Sequence, residues 1–237
     1  MVRGGLGVVR IAESVGREKS QVSRALKTLA AAGFVERDPD TMAYRLGRMV
    51  FALGAQAGDA RLLDLAPVVL ERLSAHTGET AHLSILECTE VVTLLSRASA
   101  SAVRAAGWVG RRVPASCTSS GRALLFDHTA DQLRQRFAHV EMRHGGPNAA
   151  RSLDELSARI TRDRVGGVAV SLEEFEIGLV AVAAPVRNSR GGIIAVVNVS
   201  APQFRLGPTI DAAGAHVHQA AAELSAALGF PGEERSS

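Results

Sequence analysis

Residues 8–46 constrain this chain most. Residues 8–15 (VVRIAESV) place Val8, Ile11, Ala12 and Val15 at the spacing of one helical face. Gly16-Arg17-Glu18 breaks the pattern. Residues 19–32 (KSQVSRALKTLAAA) resume it, with Val22, Leu26 and Leu29 in one stripe widened by Ala25 and Ala32. Gly33 comes next, a residue suited to the left-handed position just past a helix end. Residues 34–37 and 42–46 then read as two strands around a turn at Asp38-Pro39-Asp40. Two helices joined by a short Gly-containing break and succeeded by a hairpin have the spacing of a winged helix-turn-helix.

The wet face of the second helix carries Ser20, Gln21, Arg24, Lys27 and Thr28, and the stretch holds no carboxylate. Surface helices usually mix both signs of charge. A face of base and amide or hydroxyl alone suits DNA: Arg for guanine edges, Gln for adenine, Lys and hydroxyls for phosphates. Candidate DNA contacts are therefore Lys19, Ser20, Gln21, Ser23, Arg24, Lys27 and Thr28, with Arg37 and Arg45 along the wing. The alternatives are an ordinary solvated helix and a small α+β subdomain without a nucleic-acid role. Charge favours the DNA reading. Residues 1–48 hold nine Arg or Lys against five Asp or Glu; the remainder holds eighteen against nineteen. The positive excess sits in the N-terminal fifth, which points to a polyanionic partner, double-stranded DNA.

The 237 residues fit one large domain or a small one plus a larger one. Hydrophobic residues make up 46% but aromatics only 4%, so Ala, Val and Leu must build the core. Two cysteines, Cys88 and Cys117, form no disulfide framework, and a cytoplasmic location is expected. No apolar run reaches the ~18 residues of a membrane span, and the first residues lack a secretory apolar region.

Residues 47–57 suit a linker helix, docked on its own domain or paired with a second copy. Residues 61–77 read as a longer helix, with Pro67 implying a kink or restart. Residues 80–86 and 91–97 alternate as a hairpin. Residues 99–114 look irregular, with a short strand near Val103. Helices are expected over 118–126, 130–137 and 153–165, strands over 168–172, 179–187 and 193–200, and a final helix over 208–228. Residues 231–237 are expected to be a disordered tail. Strands arriving as hairpins between helices indicate an α+β class: an antiparallel sheet flanked by helices.

Cys117-Thr118-Ser119-Ser120-Gly121 lies where a loop enters a helix. Free backbone N–H groups and hydroxyls there could hold a carboxylate; simple helix capping is the alternative. Trp108, the only tryptophan, either covers such a pocket or sits idle on the loop. No G-x-S-x-G surrounds Cys117, and His76 and His82 lack a partner cluster. His216 and His218, two apart on a helix, face different ways. No enzyme, metal or cofactor is expected. A redox role for Cys117 is an alternative that needs a thiol pKa lowered by the helix start.

Taken together, the chain resembles the IclR family of bacterial transcription regulators over essentially its whole length. The marks are KSQVSRALKTLAAAGFVERD, YRLG at residues 44–47, HTGETAHLSIL at 76–86, VGRRVP at 109–114, SSGRALL at 119–125, VAVSLEEFEIGLVAVAAPV at 168–186 and VNVSAP at 197–202. The resemblance implies a winged helix-turn-helix over 1–46, a linker helix over 47–60 and a GAF-like effector domain over 61–230. It also implies a homodimer or dimer of dimers, a repressor more than an activator, and a small carboxylic or aromatic acid as effector. By the same resemblance Ser171, Ala181, Asn198 and Ser200 join Trp108, Cys117, Thr118, Ser119 and Ser120 as candidate effector contacts. Ser171, Ala181 and Asn198 depart from the residues that keto-acid-binding relatives carry, which implies a different acid. Glu173, Glu174 and Glu176 are expected at the rim or hinge of the site. The family usually has a further helix before the helix-turn-helix; residues 1–7 are too short and Gly-rich for it, so either the start lies upstream of Met1, which is the expectation, or the DNA-binding domain is weakened.

Overall fold

The computed structural model describes residues 5–56, 60–98, 107–142 and 145–232. The chain divides into two compact units, Met1–Ala60 and Arg61–Ser237.

The first unit contains α1 (Val8–Val15), α2 (Lys19–Ala31), β1 (Val35–Arg37), β2 (Tyr44–Leu46) and α3 (Arg48–Gln56). Gly16 ends α1 in the left-handed region, and its N–H is donated back to Glu13 O. Gly47 must be glycine, because a Cβ there would meet Gly33 O at 2.2 Å. β1 and β2 pair antiparallel with Val35 opposite Leu46 and Arg37 opposite Tyr44. Leu6 and Tyr44 exchange two backbone hydrogen bonds of 2.9 Å, so the segment before α1 is tied to the wing. The core is small: Ala12, Val22, Leu26 and Tyr44, with Val8, Ile11 and Val35 against them. Leu29 and Val15, expected on inward faces, are exposed. Two helices and a two-stranded ribbon offer too little surface to cover every apolar residue of a stripe.

The second unit contains α4 (Ala60–Thr77), β3 (Thr80–Glu87), β4 (Glu90–Arg97), β5 (Arg112–Pro114), α5 (Ser119–Leu124), α6 (Ala130–Arg136), α7 (Leu153–Gly166), β6 (Ala169–Leu172), β7 (Leu179–Arg187), β8 (Ile193–Pro202), α8 (Gln203–Leu206) and α9 (Ile210–Ala227). The strands form one antiparallel sheet in the order β5-β4-β3-β8-β7-β6. Successive side chains of a strand point to opposite faces, and here both faces are covered. On one side Ala81, Leu83, Val180, Val182, Val197 and Val199 pack with Ala66, Leu70 and Leu73 of α4 and with Val217 and Leu224 of α9. On the other side Val91, Val113, Ala169, Ala183 and Val196 pack with α5, α6 and α7. No helix among the described residues is long and apolar enough to cross a membrane.

Three expectations change. α4 runs through Pro67 without a restart; the ring removes one N–H from the helical ladder, and the turns on either side continue. Arg112–Pro114 is a strand on the sheet edge, too short for its alternation to be recognised. The expected last helix is present as α9, and a short helix that was not expected, α8, precedes it across a 3-10 turn at Gly207–Thr209. The strand expected near Val103 and the tail residues 233–237 lie outside the described residues.

Candidate functional site

The face of α2 away from its core exposes Lys19, Ser20, Gln21, Arg24, Lys27 and Thr28, with Ser23 half-buried. No salt bridge among the described residues engages Lys19, Arg24 or Lys27, so their charge is uncompensated locally. The Thr28 hydroxyl donates back to Arg24 O at 3.3 Å. The wing arginines differ. Arg45 pairs with Glu36 at 3.1 Å. Arg37 donates to Met42 O and lies over the Tyr44 ring, 5.5 Å from its centroid. At the turn, the Asp38 carboxylate accepts from the backbone N–H of Thr41 and Asp40, and these bonds hold its pKa below the ordinary range.

The second unit encloses a cavity beside α5, about 540 Å³ of empty space with its open mouth included. β3 supplies His82 and Ser84, β4 Val91 and Thr93, β5 Val113, β6 Ser171, β7 Leu179 and Ala181, and β8 Asn198 and Ser200. Thr118, Ser119 and Ser120 enter from the start of α5, and Trp108 and Phe175 from loops. The sheet register explains the grouping. His82 is paired with Asn198, Ala181 with both Ser200 and Ser171, and Ser84 with Thr93. These residues share the face opposite the α4–α9 core. None of the described lining residues is charged.

Of the candidate effector contacts, Trp108, Thr118, Ser119, Ser120, Ser171, Ala181, Asn198 and Ser200 are brought together here, and Cys117 is not. Cys117 lies in a 3-10 turn (Ala115–Cys117), is 1% exposed, and its thiol donates to Pro114 O at 3.7 Å. Burial, with the nearby Glu174 charge, pushes its pKa up to about 11, the reverse of the depression a redox thiol needs. The Thr118 hydroxyl caps α5 by accepting from Gly121 N–H at 3.1 Å. Gly121 is required: a Cβ would lie 2.0 Å from Ala115 O.

Behind the cavity the wholly buried Arg122 fixes the frame. Its Nε donates to Asp163 of α7 at 2.7 Å, and its two terminal nitrogens donate to Glu174 and to Val170 O. Glu174 also meets Arg159 at 3.2 Å. Glu174 is thus an internal anchor, where a rim or hinge position was expected. It holds the loop that carries Phe175. Glu173, in the left-handed region at φ 55°, accepts from Gly178 N–H at 2.7 Å and closes the same loop. The Arg111 guanidinium stacks over Trp108 at 4.3 Å and reaches Phe175 at 5.9 Å, so the two rings share one cation.

The residue that sequence reasoning passed over is His82. It is 3% exposed. Its Nε2 lies 3.4 Å from Ser200 Oγ, and its ring packs at 5.6 Å, tilted, on Trp108. Nδ1 is buried with no protein partner among the described residues. Burial pushes the imidazole pKa down to about 4, so it is neutral near pH 7.

Comparison with known proteins bears on both units. The family described as "Bacterial transcriptional regulator IclR C-terminal" matches residues 55–226, and "IclR helix-turn-helix domain" matches residues 3–39. The chain is similar to the HTH-type transcriptional repressor AllR of Salmonella typhi, 30% identical over 231 residues, covering 96% of this chain and 84% of AllR. Among solved structures it is similar to an IclR transcriptional regulator from Alicyclobacillus acidocaldarius, with TM-score 0.75, 30% identity, and 94% and 90% of the two chains covered. It is also similar to the inducer-binding domain of the PobR transcription factor from Acinetobacter, a double mutant in complex with 3-hydroxybenzoic acid. That match has TM-score 0.63, 25% identity, and covers 68% of this chain and 96% of the other.

Proposed function

Because the chain belongs to the IclR family of bacterial transcriptional regulators, we propose that it is a cytoplasmic repressor released from its operator by a small monocarboxylic acid, aliphatic or aromatic. It is a DNA-binding regulator with an effector-binding C-terminal unit, like its relatives, which are regulators and not enzymes. The observation that carries the choice of effector is the lining of the cavity: among the described residues, hydroxyls, one amide and one imidazole around apolar and aromatic walls, with no charged side chain. A single carboxylate fits beside Ser119 and Ser120 at the start of α5, whose hydroxyls line the cavity, while the Thr118 hydroxyl is already taken up by Gly121 N–H and Pro114 O. A dianion would carry a second charge against described lining residues none of which is cationic.

Trp108 and Phe175 suit a flat or compact apolar body. The relative AllR is named a repressor, and the PobR domain is named as binding 3-hydroxybenzoic acid; both features are read onto this chain by similarity. The direct test uses the full chain and DNA from upstream of its own gene. Retardation at low salt, reversed by one member of a panel of small monoacids that also raises the melting temperature, is the expected outcome. Failure to bind that DNA overturns the operator reading, and a panel with no stabilising acid overturns the effector reading.

A further inference from the structure

We propose that His82 selects the effector, admitting an acid that carries a hydroxyl group besides its carboxylate and rejecting the same acid without it. This inference rests on the effector reading above and deepens it.

His82 lines the cavity and is buried. Its Nε2 is engaged by Ser200 Oγ across β3 and β8. No protein group pairs with its Nδ1 among the described residues. A buried polar nitrogen without a partner is costly, and about nine-tenths of such groups in folded proteins are paired. The lining offers other polar groups, but they include the Ser84–Thr93 pair, with Oγ atoms 3.4 Å apart, and the hydroxyls at the start of α5.

Two parts of the cavity lining therefore differ in chemistry. α5 presents the Ser119 and Ser120 hydroxyls. His82 presents a neutral imidazole, with one nitrogen able to donate and the other able to accept. A hydroxyl can serve either role, so it satisfies Nδ1 in both tautomers. A carboxylate accepts only, and its charge gains little from an uncharged ring. The Trp108 ring packs against the imidazole and also carries the Arg111 guanidinium over it. Sites that hydrogen-bond a ligand hydroxyl discriminate strongly against the analogue that lacks it, because the unmatched polar atom stays buried.

The test compares acids in pairs that differ by one hydroxyl: benzoate with 3- and 4-hydroxybenzoate, and butyrate with 3-hydroxybutyrate. Affinities are measured by calorimetry and thermal shift on the full chain. The expected result is that the better hydroxylated member of at least one pair binds roughly tenfold to a hundredfold more tightly than its parent. In His82→Phe, which keeps a ring against Trp108, the ratio falls to about one. His82→Gln, which keeps a polar group at the site, retains part of the preference. The ratio between paired acids is the readout, because a merely structural role would weaken both members alike. Acids that bind the wild type without preference for the hydroxyl overturn this inference and leave the effector reading standing. A preference that survives His82→Phe overturns it too. An absence of binding by every acid overturns both together. If His82→Phe does not fold, the wild-type ratios and His82→Gln still decide.

Discussion

Burial of a titratable ring leaves a signature in stability. His82 has a folded pKa of about 4 against an ordinary value of 6.5. Between those values the unfolded chain binds a proton that the folded chain excludes, so stability is lost as pH falls from 6.5 toward 4. Urea unfolding at pH 7 and pH 4.5 should show the wild type losing about 2–3 kcal/mol more than His82→Phe. Burial also separates the two thiols. Cys88 is exposed and Cys117 buried with its pKa near 11. Ellman's reagent should find one fast thiol in the native chain, absent from Cys88→Ser; a fast Cys117 would restore the redox reading. His82 itself was legible in principle. Thr80, His82 and Ser84 alternate with Ala81, Leu83 and Ile85 in a strand that helices cover on both sides. A strand with no wet face that carries polar residues at alternate positions must turn them toward a cavity. Taken one at a time, histidines do not reveal this; the period of their neighbours does.

At the scale of elements, α5 is short and held by what surrounds it. Arg122→Ala removes the partner of Asp163 and Glu174 inside the protein and should cost about 3–5 kcal/mol in denaturant unfolding. Wild-type stability in that variant would mean the carboxylates had found water. α2 makes a different prediction, because its cations form no salt bridge within the described residues. Arg24→Ala should lose about 1–3 kcal/mol of specific DNA affinity, whereas Lys27→Ala should weaken all sequences alike and lower the salt slope by about one. Equal effects on cognate and random DNA in both variants would remove Arg24 from base readout. Most helices and the paired strands were readable from periodicity and glycines. β5 was not, since three residues show no alternation, and its position comes only from pairing with β4. α8 was hidden for another reason. Gln203–Leu206 is too short to show a helical period of its own, and only Gly207-Pro208 marks where it stops.

For the whole molecule, α3 leaves Met49, Val50 and Leu53 exposed, and Leu46 precedes them uncovered. Such a row on one short helix suits self-association through the linker. We expect light scattering after size exclusion to give at least twice the 24.8 kDa chain mass, and a Val50→Glu, Leu53→Glu pair to lower it to one chain. A single-chain mass for the wild type would sink the dimer proposal.

The two-faced sheet has a further consequence, for how such a protein changes over generations. Along β8, Val197 and Val199 answer to the core, while Asn198 and Ser200 answer to whatever enters the cavity. Along β3 and β7 the same partition separates Leu83 from His82 and Val182 from Ala181. Mutation can therefore rewrite one set of letters without disturbing the other. A lineage carrying this sheet is free to drift from one chemical signal to another while its architecture stays the same.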